Sequence, residues 1–555
     1  MNDKQHQIIK DAIKAIYDRT FFSQYPEHPS SNIYGDTADA DGRNWFKEQI
    51  GKKFDELYCE SAKQWQGYEE SPYLQESLDI TYPVFTPEQL ISNGTEVFES
   101  WRKTSIDERA AILINSLESL KDRFFQIAYA TMHTTGQGYM MAFQASGPHA
   151  ADRALEAIAA GYEEVNRFPK KAFWDKPMGK FNLQLNKEWR AVPKGISLVV
   201  GCSTFPTWNS IPGLYASLIT GNPVIVKPHP GAVLPIAIVV AELQRALSDA
   251  GQDPRVVQLA IDSLNAPITV QLAQHTDVKL IDYTGNSEFG DYLEGLKGKT
   301  VFTEKTGVNS VILHSTDQAD KMISNLAFSI CLYSGQMCTA PQNIFISKDG
   351  IDTPNGKIGF EEIANKFVQQ INGLVDNPKA GPFVLGAIQN KNTCERIERS
   401  ENLSGKVLLK SRSIENPMFK NARTSTPVLL EVESDQMEVF SKELFGPIAL
   451  LIKTESVEQS VELARELAEQ HGAISCGAYC MDEAMKEFIF DQMSLAATPV
   501  SFNLMTGVYV NQHAGFSDFH VTGGNPAGNA SFTNPEFVIK RFTWVGKREP
   551  AVSGE

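Results

Sequence analysis

The sequence predicts an α/β protein, a Rossmann-type cofactor domain joined to a second α/β domain, and three observations carry that reading. From Gly195 onward, apolar runs of strand length alternate with helical segments, the βαβ rhythm of a parallel sheet covered by helices. Gly195 to Val226 contains no charged residue, as a parallel sheet buried on both faces requires. After Ser310 a second alternation begins, more than one sheet accommodates.

Met1 to Arg19 sets Ile9, Ile13, Ile16 and Tyr17 on one helical stripe, while Lys4, Lys10, Asp11 and Lys14 interrupt any apolar signal region. Tyr25 to Gly42, rich in Pro, Ser, Asp and Gly, reads as a loop. Gln49 to Glu156 reads mostly as helix, with Trp101, Ile106, Arg109, Ile112 and Leu117 in an amphipathic stretch. The uncharged stretch that follows is long enough to cross a membrane. Pro206, Pro212, Pro223, Asn209 and Asn222 instead make it strand, loop, helix and strand around a site. Strands are expected at Ile196 to Val200, Pro223 to Val226, Val256 to Ile261, Leu280 to Tyr283 and Val301 to Thr303, with helices at Leu234 to Leu247 and Ile268 to His275. The second domain begins with Ser310 to Leu313 and continues through Asn343 to Ser347, Val407 to Leu409 and Ile448 to Ile452.

Composition narrows the function. A net charge of −16 opposes a broad grip on nucleic acid or anionic lipid, and leaves room for a local basic pocket. The seven cysteines form no paired CxxC clusters, so neither a disulfide framework nor a zinc site is expected and a reducing cytoplasm fits. No metal is expected.

The chemistry concentrates at Gly335-Gln336-Met337-Cys338, preceded by Glu304 at a strand end. A thiol with a pKa of about 8.5 needs a base to attack a carbonyl at neutral pH, and a nearby carboxylate supplies one. Taken alone, each residue has a plainer role, an inert buried cysteine and a solvated glutamate. Thr284-Gly285-Asn286-Ser287-Glu288-Phe289-Gly290 follows a strand and opens a helix, a turn where backbone N–H groups and the helix dipole favour a phosphate, although the GxGxxG fingerprint is missing. Lys227 ends the strand in Thr220 to Pro228, and Lys442-Glu443-Leu444-Phe445-Gly446-Pro447 lies further on.

These five motifs, in this order, resemble the aldehyde dehydrogenase superfamily over roughly Phe85 to Trp544, and His229-Pro230 with the closing Phe542 to Gly546 most resemble its phenylacetic acid degradation branch. The resemblance implies an aldehyde dehydrogenase-like fold. It makes Cys338 the nucleophile, Glu304 the general base, Lys227 a contact to the adenosine ribose, Gly285 and Gly290 the pyrophosphate turn, Glu443 the nicotinamide-ribose ligand and Phe445 a flank of the nicotinamide. It divides the chain into an N-terminal extension (1–84), a dinucleotide domain (85–304), a catalytic domain (305–530) and a C-terminal oligomerisation strand (531–555). An arm at about 173–192, with Phe181, Leu183 and Leu185 forming a buried face, is expected to meet Phe537 to Val545 of a neighbour in a homodimer or homotetramer.

Two positions depart from the family. Thr204 stands where an asparagine usually helps hold the oxyanion; its hydroxyl offers one hydrogen bond, with Asn209 as the alternative. Pro230 stands where NAD-preferring members carry a glutamate, so NADP is expected over NAD. The resemblance implies NAD(P)-dependent oxidation of an aldehyde, a CoA-linked semialdehyde in its phenylacetate branch, to a carboxylic acid, with a CoA-acylating enzyme or a non-catalytic cofactor-binding member as alternatives. Cys202, Cys331, Cys476 and Cys480 are read as small buried hydrophobes, His513 and His520 as surface-loop histidines, and Phe205, Trp208 and Phe516 as candidate walls of a substrate tunnel.

Overall fold

The structure is a computed structural model that describes residues 1–60, 62–505, 516 and 519–551. Its centre is two sheets in sequence. The first has five parallel strands in the spatial order Thr300–Glu304, Val278–Thr284, Ile196–Val200, Val224–Lys227, Val257–Leu259. Chain order reverses between Ile196–Val200 and Val278–Thr284, and the crevice beyond the carboxyl ends at such a switch point is where doubly wound sheets bind ligands. Lys227, Gly285 and Glu304 all sit at those ends. The second sheet has seven strands, from Lys406–Leu409 through Val428–Glu433, Ile448–Thr454, Asn343–Ser347, Ser310–Leu313 and Cys476–Tyr479 to Val500–Phe502. Only its first pairing is antiparallel.

The uncharged stretch folds as expected, strand Ile196–Val200, helix Pro206–Ile219 and strand Val224–Lys227, and its strand residues are buried throughout. Helices Pro87–Trp101 and Ile106–Lys121 start at reciprocal capping boxes, Thr86 with Gln89 and Ser105 with Glu108. Among the described residues no helix is long and apolar enough to cross a membrane.

Three expectations are corrected. Tyr25 to Gly42 is not all loop, because helices Ser31–Tyr34 and Ala38–Gln49 begin within it. Gly42 there is a packing glycine: a Cβ on it would lie 2.5 Å from Cβ of Phe125 on the neighbouring helix Phe124–Thr135. Nor is the N-terminal segment an appendage, since Ile8, Ile9, Phe46 and Phe54 share the core formed by Leu113, Phe124 and Leu155. The third concerns the arm. Strands Lys171–Pro177 and Asn182–Pro193 form its hairpin, and Phe542–Pro550 runs antiparallel along the second of them in its own chain, with Phe542 opposite Pro193 and Pro550 opposite Leu185. Leu185 is buried, whereas Phe181 and Leu183 are exposed, so only part of the expected buried face forms within the chain.

Candidate active site

The Cys338 loop is built under backbone strain. Helix Ala319–Cys331 ends in a tight turn whose Tyr333, Ser334 and Gly335 all have positive φ (50°, 49° and 61°). Such conformations cost side chains about 1–3 kcal/mol each and persist only where neighbours hold them. Here Tyr333 Oη donates to Thr135 O at 2.6 Å, and Ser334 Oγ reaches Leu385 O at 3.0 Å and Ser425 O at 3.2 Å. Gln336 Nε2 donates to Ala387 O at 3.0 Å, and its Oε1 accepts from Gln389 N at 2.9 Å. Gly335 is required twice over, because an added Cβ would also stand 2.3 Å from Gly446 O. Beyond the turn, Asn309 Nδ2 donates to Cys338 O at 2.6 Å and Ala340 O at 3.1 Å, while its Oδ1 accepts from Ile474 N at 3.0 Å.

The carboxylate of Glu304 meets Cys338 from the end of the first sheet. Asn209 Nδ2 donates to Glu304 Oε1 at 3.0 Å, and His520 Nε2 lies 3.0 Å from Oε2. Ligand atoms of Glu304, Cys338 and His520 lie within 4.8 Å of one another. The His520 ring packs edge-on against Trp208, with centroids 4.7 Å apart, and the buried Arg153 guanidinium stands 3.8 Å from the Trp208 ring centroid. Burial pushes the Cys338 thiol well above its ordinary range, and Glu304 adds to the shift. Burial would raise the Glu304 carboxyl too, but His520, Arg153 and the Cys338 hydrogen bond outweigh it and the net shift is downward. The resting pair is therefore a protonated thiol beside an ionised carboxylate.

His520 is the residue whose place the sequence reading missed. It is buried against the Glu304 carboxylate and not on a surface loop. Its sequence signal is weak, one histidine in a glycine-rich stretch, and only the chain topology brings it beside Glu304. His513 lies outside the described residues. Cys331, Cys476 and Cys480 are buried as expected, and burial raises all three thiols.

Thr204 directs its backbone N–H and hydroxyl toward the Cys202 sulfur and does not border the cavity at Cys338. Asn209 does border it. The geometry thus turns from the expected Thr204 to its alternative.

Of the residues expected to hold a cofactor, Lys227 and Gly285 stand at the carboxyl ends beside the switch point. Lys227 Nζ lies 2.6 Å from Asp262 Oδ1 and donates to Pro228 O at 2.9 Å. Both side chains are almost wholly buried. A carboxylate therefore faces Lys227, although Pro230 supplies none. Gly285 follows strand Val278–Thr284, and Gly290 lies in helix Ser287–Glu294, where an added Cβ would meet the Lys305 side chain at 2.5 Å. Asn286 caps that helix by accepting from Phe289 N at 2.9 Å. On the opposite side, burial pushes Glu443 up to about 7, despite Arg396 and a hydrogen bond from Gly307 N. Arg396 Nη1 donates to Phe445 O at 2.7 Å, fixing the loop. A lysine at a strand end and a capped helix at a glycine turn fit an adenine dinucleotide.

A cavity of about 1170 Å³ is bordered by Cys338, with Phe205, Trp208, Asn209 and Met337 also among its walls. Phe516, the third expected wall, packs edge-on against Phe22 instead, with ring centroids 5.0 Å apart. A second cavity of about 60 Å³ lies behind Glu304, bordered by Arg153, Asp282 and His520.

Residues 86–481 match the aldehyde dehydrogenase family. The crystal structure of NAD-dependent aldehyde dehydrogenase from Burkholderia multivorans superposes with a TM-score of 0.96 at 42% identity, covering 99% of each chain. Benzaldehyde dehydrogenase [NAD(+)] of Pseudomonas putida is 23% identical over 467 residues, 79% of this chain and 85% of that protein. Alpha-ketoglutaric semialdehyde dehydrogenase of Bacillus subtilis (strain 168) is 22% identical over 389 residues, 68% and 75% of the two chains.

Proposed function

The chain belongs to the aldehyde dehydrogenase family, and on that premise we propose that Cys338 and Glu304 carry an NAD(P)-dependent oxidation of an aldehyde to a carboxylic acid. The observation that carries the assignment is the meeting of the Cys338 thiol, on the wall of a large cavity, with the Glu304 carboxylate, their ligand atoms within 4.8 Å of each other. The Cys338 thiol gives up its proton to solvent, and the thiolate attacks the aldehyde carbon. Asn209 Nδ2 and the Cys338 backbone N–H are the donors for the thiohemiacetal oxyanion, the role expected of Thr204. Held by Lys227, Gly285, Gly290, Glu443 and Phe445, NAD or NADP would supply the hydride acceptor that lets the oxyanion collapse to a thioester on Cys338. Glu304, steadied by His520, then deprotonates the water that releases the acid.

Lys227, Gly285, Gly290, Glu443 and Phe445 hold the dinucleotide in this reading. The Lys227–Asp262 pair weakens the ground for preferring NADP: Asp262 offsets the cation that a 2′-phosphate would use and supplies the acidic group that Pro230 lacks. We assign the balance between NAD and NADP to that pair. The branch resemblance supports PaaN-type chemistry on a CoA-linked semialdehyde, 3-oxo-5,6-dehydrosuberyl-CoA semialdehyde, in phenylacetate catabolism. A homodimer or homotetramer is supported by exposed Phe173, Phe181, Leu183 and Val545 on the three-stranded arm. Seven free cysteines support a reducing cytoplasm.

Cys338→Ala is expected to abolish aldehyde-dependent formation of NADH or NADPH while dinucleotide binding persists. Assays with and without CoA distinguish water from CoA as acyl acceptor. Near-normal turnover by the variant refutes the assignment.

A further inference from the structure

One whole face of an N-terminal helix walls the cavity that Cys338 borders. Asp39, Arg43, Phe46 and Lys47 of helix Ala38–Gln49, with Ile50 after it, recur at helical spacing and all border that cavity. At about 1170 Å³ it exceeds the roughly 300–1,000 Å³ of ordinary small-ligand sites, far more than a short aldehyde fills. Four large apolar side chains, Ile50, Met140, Phe383 and Met418, border the same cavity while exposed to solvent. Apolar surface left exposed beside a concave site is the mark of a ligand that covers it.

The charges there are unevenly spent. Arg43 bonds Asp39 at 2.8 Å and Tyr129 Oη at 3.0 Å, and Tyr129 and Tyr139 both donate to Asp39. His149 is paired with Glu27 at 2.6 Å. His133 is pushed down to about 4 by burial, with Lys47 adding to the shift, and is neutral at pH 7. Of the basic residues bordering this cavity, Lys47 is the one that is exposed and has no ion-pair partner among the described residues, in a chain of net charge −16.

From these observations we infer that this cavity takes an aldehyde with an extended apolar body and an anionic far end, and that Lys47 is the subsite for that anion. The inference rests on Cys338 being the nucleophile, because Cys338 fixes which end of the substrate lies deepest. The anion is either a terminal carboxylate or the phosphates of a thioester-linked carrier.

The test compares octanal, 8-oxooctanoate and the CoA thioester of 8-oxooctanoate in wild type, Lys47→Glu and Lys47→Arg. The expected result is a two- to tenfold fall in the kcat/KM ratio of anionic aldehyde to octanal in Lys47→Glu, from reversing one exposed charge, with Lys47→Arg within about twofold of wild type. A fall confined to the thioester assigns the subsite to phosphate, and a fall with the free acid assigns it to carboxylate. Binding of octanoate and octanedioate, read by tryptophan fluorescence, gives the same ratio without turnover. If neither ratio moves in Lys47→Glu, the subsite is refuted whatever the activity. If wild type binds the diacid preferentially and oxidises none of the three aldehydes, it is the Cys338 reading that fails.

Discussion

Replacing Glu304 by glutamine separates the two halves of the reaction. The amide keeps the carboxylate's shape and still offers an oxygen to Asn209 Nδ2, which lies 3.0 Å from Oε1. What it loses is the capacity to take a proton. General-base catalysis contributes about 10²–10⁴-fold, or about 3–5 kcal/mol of barrier. His520, 3.0 Å from the carboxylate, remains as a residual base and places the expected loss near the lower end, about 10²–10³-fold in steady-state rate. In stopped flow the variant should give a burst of NADH or NADPH approaching one per active site, then slow turnover, with the acyl-enzyme visible by mass spectrometry. A second readout has a definite sign. Glu304 is, after burial, the largest cause of the raised Cys338 thiol, so its neutralisation moves the pH profile of iodoacetamide alkylation at Cys338 to lower pH. A burst and steady state that fall together with no trapped acyl-enzyme, or a profile that moves upward, would show that the base lies elsewhere.

Gly335→Ala should remove most activity and lower the melting temperature, since it puts a Cβ 2.3 Å from Gly446 O in a left-handed turn; wild-type kinetics and melting would contradict the strained-loop account. Asp262→Asn frees Lys227 and removes an anion, and should raise the NADP-to-NAD ratio of kcat/KM by about tenfold. An unaltered ratio would mean that the pair does not face the ribose. Asp152, buried under Ser23, Gln24 and Tyr25, has its pKa raised to about 6 by desolvation. A raised carboxyl pKa favours the folded state fully below about 4 and loses that contribution as pH rises through about 6, at a cost of at most about 3 kcal/mol. Asp152→Asn should therefore melt higher than wild type at pH 8 and lose the advantage near pH 4; the opposite order, from melting curves at both pH values, would count against it.

The five strands of the first sheet and four of the seven in the second were legible because buried parallel strands are apolar along much of their length, whereas Val428–Glu433, Cys476–Tyr479 and Val500–Phe502 were not read; Glu304 and Cys338 were legible because each closes a local motif. Glycine misled at Gly42, where the absent side chain serves helix packing and not a turn. Asp262 and His520 were illegible for another reason: each acts on a residue from a different strand or loop, Lys227 and Glu304, and no spacing in the chain encodes that meeting. The C-terminal strand had an apolar pattern that fits any sheet edge, so sequence alone did not distinguish its own hairpin from a neighbour's.

The turn before Cys338 also makes the nucleophile answerable to distant parts of the molecule. Its three left-handed residues are held from helix Phe124–Thr135 through Thr135, from the segment at Leu385 and Ala387, and from Ser425. The reactive sulfur thus behaves like a keystone, seated only while separately folded flanks press on it together. A change in any one flank is therefore a change in where the Cys338 sulfur sits, even when it lies far from the cavity.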